Sequence, residues 1–210
     1  IDWKNLDDFS GNFDWVWACS TETSCGLKIP ITELKKFSKK VKAKLALDAT
    51  ASMGLEPFHD LADVISYSSC KGLFGLTGAC FVAYNSKPQN KVNSFNLDIN
   101  SHIKKKMTGP YHAIQSLEKV LDKHRNFVHS VKVNKQKFLR IFKDKLIYDS
   151  KNQPLICTYA DCKLTTRDRR VIFYEPRISL RGSIICHLGE IHLAKLAKGK
   201  ILNNIYIKRK

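Results

Sequence analysis

The chain has 210 residues, of which 43% are hydrophobic and 26% are charged, and this composition is typical of a globular protein and excludes a largely disordered one. No apolar run approaches the roughly 20 residues that a membrane-spanning helix needs, so no membrane association is predicted. The 7 cysteines are an odd number without the spacing of a zinc or redox site, which predicts reduced thiols, a cytoplasmic location and no bound metal.

The chain is strongly basic, with 36 lysines and arginines against 19 aspartates and glutamates, a net charge of +17. Such a charge attracts any polyanion, but the sequence contains no zinc-finger spacing and no RNA-binding signature. A solvated, lysine-rich surface is therefore the favoured interpretation, and nucleic acid is not an expected partner. The basic clusters at 104–106 and 208–210 leave a non-catalytic module that binds an acidic partner as an alternative.

Strand and helix patterns alternate over the first hundred residues. Trp15 and Trp17 alternate with Val16 and Ala18, which predicts a strand whose tryptophans face the core. A helix with a lysine-rich outer face is predicted to begin at Pro30. Further strands are predicted over Lys44–Asp48, Val64–Ser68 and 78–84, with a short helix before the second of these. This order predicts an α/β fold with functional side chains at strand ends.

The second half of the chain predicts a smaller α/β unit. Residues 85–100 form a polar connection, and a turn at 108–110 begins an amphipathic helix over about 112–131. Strands are predicted at 155–159 and 182–186, with a short helix at 169–176 between them. We therefore expect two domains, residues 1–100 and residues 101–210.

Asp48 and Lys71 are the residues that most strongly indicate chemistry. Asp48 ends a predicted strand, and Lys71 follows the next strand in a loop rich in serine and glycine. A lysine amine can form a Schiff base with an aldehyde cofactor, and an aspartate can keep a pyridine nitrogen protonated. From these two residues alone, a helix-capping aspartate and a solvated loop lysine are the favoured interpretations, because motifs of this length recur by accident.

Three motifs give this pair a context: Glu-Thr-Ser-Cys-Gly at 22–26, Leu-Asp-Ala at 47–49 and Ser-Ser-Cys-Lys-Gly at 68–72. Their order, intervals and placement at strand ends resemble the class V aminotransferases of fold type I, which use pyridoxal 5'-phosphate (PLP). The most similar branch contains the 2-aminoethylphosphonate–pyruvate and alanine–glyoxylate aminotransferases. The resemblance implies a mixed, mostly parallel sheet from the PLP-binding large domain in residues 1–100, followed by the small C-terminal domain.

The resemblance also implies a role for each matching residue. Lys71 would form the Schiff base, Asp48 would bind the pyridine nitrogen, and Thr23 would lie near the phenolic oxygen of the cofactor and the substrate. Cys70 would lie near the phosphate. Thr108 would contact the phosphate across a subunit boundary, which implies a homodimer.

The implied reaction is transamination between an amino acid or aminophosphonate and a small keto acid such as pyruvate or glyoxylate. Where these enzymes carry an arginine that binds the substrate carboxylate, this sequence has Leu-Ala-Lys-Gly at 196–199, which makes Lys198 a weak candidate. The phosphate-binding turn and the aromatic residue stacked on the ring would precede Ile1, so we expect a fragment of a longer enzyme. A lyase similar to the cysteine desulfurases is an alternative within the same class.

Overall fold

The computed structural model describes residues 3–87, 89–90, 92–94, 96–106, 109–166, 173–174, 181–188 and 205–208. Its α-helices are α1 (Ile31–Lys40), α2 (Ile99–Lys105), α3 (Tyr111–Leu121) and α4 (His124–Phe142). Its strands are β1 (Trp15–Cys19), β2 (Thr21–Glu22), β3 (Leu27–Lys28), β4 (Lys44–Asp48), β5 (Val64–Ser68), β6 (Cys80–Tyr84), β7 (Cys157–Ala160), β8 (Leu164–Thr166), β9 (Phe173–Tyr174), β10 (Ser183–Cys186) and β11 (Ile205–Ile207). Among these residues, no helix combines the length and the hydrophobicity required to cross a bilayer.

A four-stranded sheet in the order β1-β4-β5-β6 forms the centre of the first half of the chain. Strands β1, β4 and β5 are parallel, whereas β6 runs antiparallel to β5. The sheet is therefore mixed and mostly parallel, as the sequence predicts. Because the three parallel strands run in one direction, their carboxyl ends, at Cys19, Asp48 and Ser68, lie along the same edge.

Helix α1 covers one face of this sheet. Its buried residues include Ile31 and Leu34, and they pack against Leu45 and Leu47 of β4. The spacing of three to four residues places the apolar side chains on one side of the helix, and its lysines remain on the other. Pro30 directly precedes the helix, as predicted.

The opposite face of the sheet is exposed in the described part of the chain, and the prediction that Trp15 and Trp17 are core residues is wrong. Trp17 is 84% exposed and Trp15 is 41% exposed. The strand itself is correct, but Val16 and Ala18, and not the tryptophans, pack toward the cluster formed by α1 and β4. A period of two shows which residues share a face without showing which face meets the core.

The second half of the chain is built around a three-stranded antiparallel sheet in the order β7-β10-β9. One face packs against Phe138 and Phe142 of α4. The other face contributes Tyr159 and Ile184 to a cluster that also contains Leu55 and Phe74 from the first half. The two halves thus share a hydrophobic core, and the division at residue 100 stays a prediction.

Two elements of the second half differ from prediction. The single helix predicted over 112–131 is two helices, α3 and α4, which are separated at Asp122 and Lys123 and extend to Phe142. The predicted short helix at 169–176 is wrong at Phe173–Tyr174, because these residues form β9 and pair with β10. The remainder of that segment lies outside the described residues.

Candidate active site

The candidate site lies at the carboxyl edge of the parallel strands. Cys19 and Asp48 are the last residues of β1 and β4 and are direct partners in the ladder. Asp48 in turn pairs with Ser66 of β5, and the loop that carries Lys71 follows that strand. Ligands of open α/β sheets bind at this edge, because the loops beyond the strand ends converge there.

Asp48 begins a tight turn at the end of β4. Its Oδ1 atom accepts a hydrogen bond from the N–H of Thr50 at 2.9 Å, which fixes the orientation of the carboxylate. The capping interpretation is therefore partly correct, although the cap closes a turn and not a regular helix. The side chain is exposed, so the carboxylate can also meet a ligand at this edge.

The loop that carries Lys71 is held by the buried Ser69. The Ser69 hydroxyl donates to the carbonyl of Leu76 at 2.5 Å and accepts from the N–H of Ala79 at 3.2 Å. Lys71 has a φ of +53°, in the left-handed region that lysine rarely adopts. Strained residues of this kind concentrate at functional sites, where the surrounding structure maintains them.

Gly72 brings the Lys71 loop against the turn that follows Asp48. A Cβ atom at Gly72 would lie 2.0 Å from the carbonyl oxygen of Met53, so only glycine fits without a backbone shift. On the other side, Nε2 of His124 in α4 lies 2.9 Å from the Gly72 carbonyl oxygen. Close packing on both sides thus fixes the backbone next to Lys71.

Thr23 reaches Lys71 from a third direction. It lies in the turn between β2 and β3, where Oε1 of Glu22 accepts the N–H of Ser24 at 2.7 Å. The Nζ atom of Lys71 lies 3.5 Å from Oγ1 of Thr23, the outer limit of a hydrogen bond. Two residues 48 positions apart therefore meet at their functional ends, and the proximity of Thr23 to a cofactor stays a prediction.

The Cys19 thiol lies among the charges of the site, which the sequence did not indicate. Its pKa is raised to about 11, chiefly by burial and also by the carboxylates of Asp48 and Glu22, while the contact with the Thr21 backbone and the Lys71 ammonium oppose the rise. Its Sγ atom lies 3.2 Å from the carbonyl oxygen of Thr21. The Cys19 thiol is therefore mostly neutral at pH 7. Its position at the last residue of a strand could have identified it as a neighbour of Asp48.

Of the other predicted site residues, Cys70 directly precedes Lys71 at this edge, and two lie outside the described residues. The Cys70 thiol lies 3.0 Å from the Ser68 hydroxyl, so its nearest polar partner belongs to its own segment. Its contact with a phosphate stays a prediction. Thr108 and Lys198 lie outside the described residues.

Comparison with known proteins identifies the fold. No family model matches the sequence, and no curated protein matches it. Among solved structures, the chain is similar to an alanine–glyoxylate aminotransferase from Nostoc sp., with 21% identity and a TM-score of 0.60 over 70% of this chain and 46% of that one. It is also similar to a ureidoglycine–glyoxylate aminotransferase from Bacillus subtilis, with 14% identity and a TM-score of 0.63 over 91% of this chain and 64% of that one.

A phosphoserine aminotransferase from Cytophaga hutchinsonii has 14% identity and a TM-score of 0.64 over 90% of this chain and 62% of that one. The chain thus spans between 46% and 64% of the length of these three structures. It has the fold of the corresponding part of a fold type I aminotransferase of class V. The resemblance drawn from the three sequence motifs is confirmed at the level of the fold.

The fold implies PLP, and the residues at the strand edge fit the ring end of this cofactor. Lys71 presents an exposed primary amine, the group that binds an aldehyde. Asp48 uses only Oδ1 in the hydrogen bonds of the described residues, and a carboxylate oxygen suits a protonated ring nitrogen. The adjacent Ser20 and Thr21 carry buried hydroxyl oxygens without a partner among the described residues. These hydroxyls could therefore form hydrogen bonds to a ligand at this edge.

Proposed function

We propose that the chain is part of a PLP-dependent aminotransferase that transfers an amino group between an amino acid or aminophosphonate and a small keto acid. The observation that carries the proposal is the meeting of the Lys71 amine with the Thr23 hydroxyl, at the strand edge that also carries Asp48. The fold shared with three aminotransferases supports it. The chain spans only part of those structures. The proposed activity is therefore that of the whole enzyme of which this chain would be a part.

Lys71, Thr23 and Asp48 each have a separate role in this proposal. Bound PLP supplies an electron sink that lets a proton leave the alpha carbon of the substrate. Lys71 holds the cofactor in the resting protein and afterwards moves that proton as a general base and acid. Thr23 orients the lysine amine through its hydroxyl, and Asp48 keeps a proton on the ring nitrogen, because a carboxylate favours the protonated form of a nearby base.

The two alternatives, a lyase similar to cysteine desulfurases and a non-catalytic basic binding module, have less support. The chain also shares its fold with a NifS-like protein from Rickettsia africae, at 15% identity and a TM-score of 0.58. A lyase similar to cysteine desulfurases would require a reactive thiol that reaches the substrate, whereas burial raises the pKa of Cys19, the thiol that lies among the charges of the site. A basic binding module explains the charge of +17 but not the arrangement of Thr23 and Lys71.

We further propose a cytoplasmic homodimer. Helix α3 exposes apolar side chains, with Tyr111 75% and Leu121 51% exposed, and its residues line a groove beside Leu76. Exposed apolar side chains next to a groove are typical of protein interfaces. The cytoplasmic location rests on the odd number of cysteines, which favours a compartment that keeps thiols reduced. Sedimentation velocity would detect the dimer, and a purely monomeric protein at micromolar concentration would contradict it.

The function is tested by the site of PLP attachment. PLP is added to the full chain, borohydride is used to make the link to lysine permanent, and the labelled peptide is identified by mass spectrometry. We expect the label on Lys71, accompanied by yellow absorbance before reduction, and we expect Lys71→Ala to lose both. Lys42→Ala is the matched control, because Lys42 is also exposed and has a φ of +55°. Equal labelling of Lys42 and Lys71 would refute the assignment.

A further inference from the structure

Cys157 and Cys186 are direct neighbours across an antiparallel ladder. They are paired in the register of β7 and β10. The next pair along the ladder is hydrogen-bonded, because the N–H of His187 donates to the carbonyl of Ile156 at 2.8 Å. Hydrogen-bonded and non-hydrogen-bonded pairs alternate, so the two cysteines form a non-hydrogen-bonded pair. The Cα atoms of such pairs are about 4.5 Å apart, within the range of about 4.4–6.8 Å that a disulfide spans.

The two thiols also point to the same side of the sheet. Directly opposed residues of a ladder share a face, and both cysteines pack into the cluster that contains Tyr159 and Ile184. Cys157 is buried and Cys186 is half-buried, so an oxidant from solvent reaches Cys186 first. Each sulfur then has the other as a close partner on the neighbouring strand.

We propose that Cys157 and Cys186 form a dithiol site that a peroxide oxidises to an intrachain disulfide. In the first step the sulfur of Cys186 attacks one peroxide oxygen, the O–O bond breaks, and the cysteine becomes a sulfenic acid while one water (or alcohol) leaves. In the second step the sulfur of Cys157 attacks the sulfur of Cys186, the S–S bond forms, the S–O bond breaks, and a second water leaves. The two cysteines together lose two electrons to the peroxide, and both thiol protons end in the products.

The surroundings determine the rate of this reaction. Burial raises the pKa of both thiols, so little thiolate is present at neutral pH and the pair stays reduced until an oxidant persists. The Lys71 ammonium opposes this rise at both thiols. The two cysteines share their hydrophobic cluster with Phe74, which follows closely after Lys71 in the chain, so the disulfide would form near the candidate active site. The proposal depends on the ladder and not on what Lys71 binds.

The test is disulfide mapping of the full chain. The protein is treated with hydrogen peroxide, free thiols are alkylated, and the peptides are analysed by mass spectrometry without reduction. We expect one cross-linked pair that contains Cys157 and Cys186, lighter by two hydrogen atoms than the separate peptides. We also expect it to form faster as the pH rises, because the attacking species is the thiolate.

Two variants make the result specific. Cys186→Ser should abolish the cross-link, whereas Cys80→Ser should leave it unchanged, because Cys80 is an exposed residue of a different sheet. The wild-type peptide map does not depend on the folding of either variant. If Cys157 and Cys186 are both recovered as separate alkylated peptides, or if Cys157 is linked to Cys25 instead, the proposal is overturned.

Discussion

Among the glycines that the structure describes, Gly72 has the shortest Cβ contact, and it fixes the backbone next to Lys71. Its missing Cβ atom would lie 2.0 Å from the Met53 carbonyl oxygen. We expect Gly72→Ala to lower the free energy of unfolding by about 3 kcal/mol, because the clash involves backbone that cannot turn aside. Urea denaturation measures this loss.

Gly109→Ala is the control for this prediction. Its Cβ would meet only the terminal methyl of Ile114, at 3.3 Å, and a flexible side chain can move by that amount. Its free energy of unfolding should change by less than about 1 kcal/mol. Equal effects of the two substitutions would show that the loop of Lys71 is not held against the turn after Asp48.

Residue patterns at strand ends were sufficient to single out Asp48 and Lys71, because the loops beyond parallel strands converge at one edge of the sheet. Thr23 was added by the resemblance to a family. The patterns did not identify Cys19, although it also ends a strand at this edge. They also assigned Trp15 and Trp17 to the core. A strand with apolar residues on both faces leaves the direction of burial open until its neighbours are known.

At the scale of elements, α4 carries a lysine in its buried stripe. Lys135 lies between Val131 and Phe138 on the buried face, and its Nζ donates to the carbonyls of Gln153 at 3.1 Å and Pro154 at 2.6 Å. This lysine interrupts the apolar pattern, which explains why the sequence predicted the end of the helix near residue 131. The helix instead continues to Phe142, because the buried ammonium finds backbone partners.

Lys135 makes stability depend on pH. Its pKa is lowered from 10.5 to about 8, chiefly by burial and also by the nearby Lys28, while Glu56 opposes the shift. Between these two pKa values the unfolded chain binds a proton that the folded chain does not, so the lysine's contribution to stability rises with pH from about 8 to about 10.5. The gain is on the order of 3 kcal/mol.

The measurement compares wild type with Lys135→Met by urea denaturation across this pH range. The difference in unfolding free energy should move in favour of wild type as the pH rises. The comparison cancels the opposing titrations of Tyr148 and the buried cysteines, whose pKa values are raised in the folded state. A difference that does not vary between pH 8 and 10.5 would show that the pKa of Lys135 is not lowered.

At the scale of the whole molecule, one face of the first sheet is covered and the other is exposed in the described residues. Trp17, on the exposed face, is 84% exposed, whereas Phe138 of α4, in the core of the second half, is fully buried. We expect Trp17→Ser to change the free energy of unfolding by less than about 0.5 kcal/mol, and Phe138→Ala to lower it by about 3–5 kcal/mol. Urea denaturation compares the two. A loss above about 2 kcal/mol for Trp17→Ser would show that this face is covered in solution.

The overall fold could be predicted from the sequence more fully than the individual contacts between its elements. The order of strands and helices, together with the motifs around Thr23, Asp48 and Lys71, indicated the fold type I architecture that the similar structures share. The break between α3 and α4 was not predicted, because the apolar spacing continues across Asp122 and Lys123. Strand β9 was missed because two paired residues are too short to show a period of two.

The central claim is that Lys71 and Asp48 hold one cofactor ring, the lysine at its aldehyde and the aspartate at its ring nitrogen. Nitrogen NMR of the borohydride-reduced chain, carrying PLP labelled with ¹⁵N in the ring, tests this most directly. In wild type the ring nitrogen should remain protonated above the pH at which free pyridoxyl-lysine loses its proton, and Asp48→Asn should abolish that shift. A ring nitrogen that titrates in wild type as it does in free pyridoxyl-lysine would contradict the account.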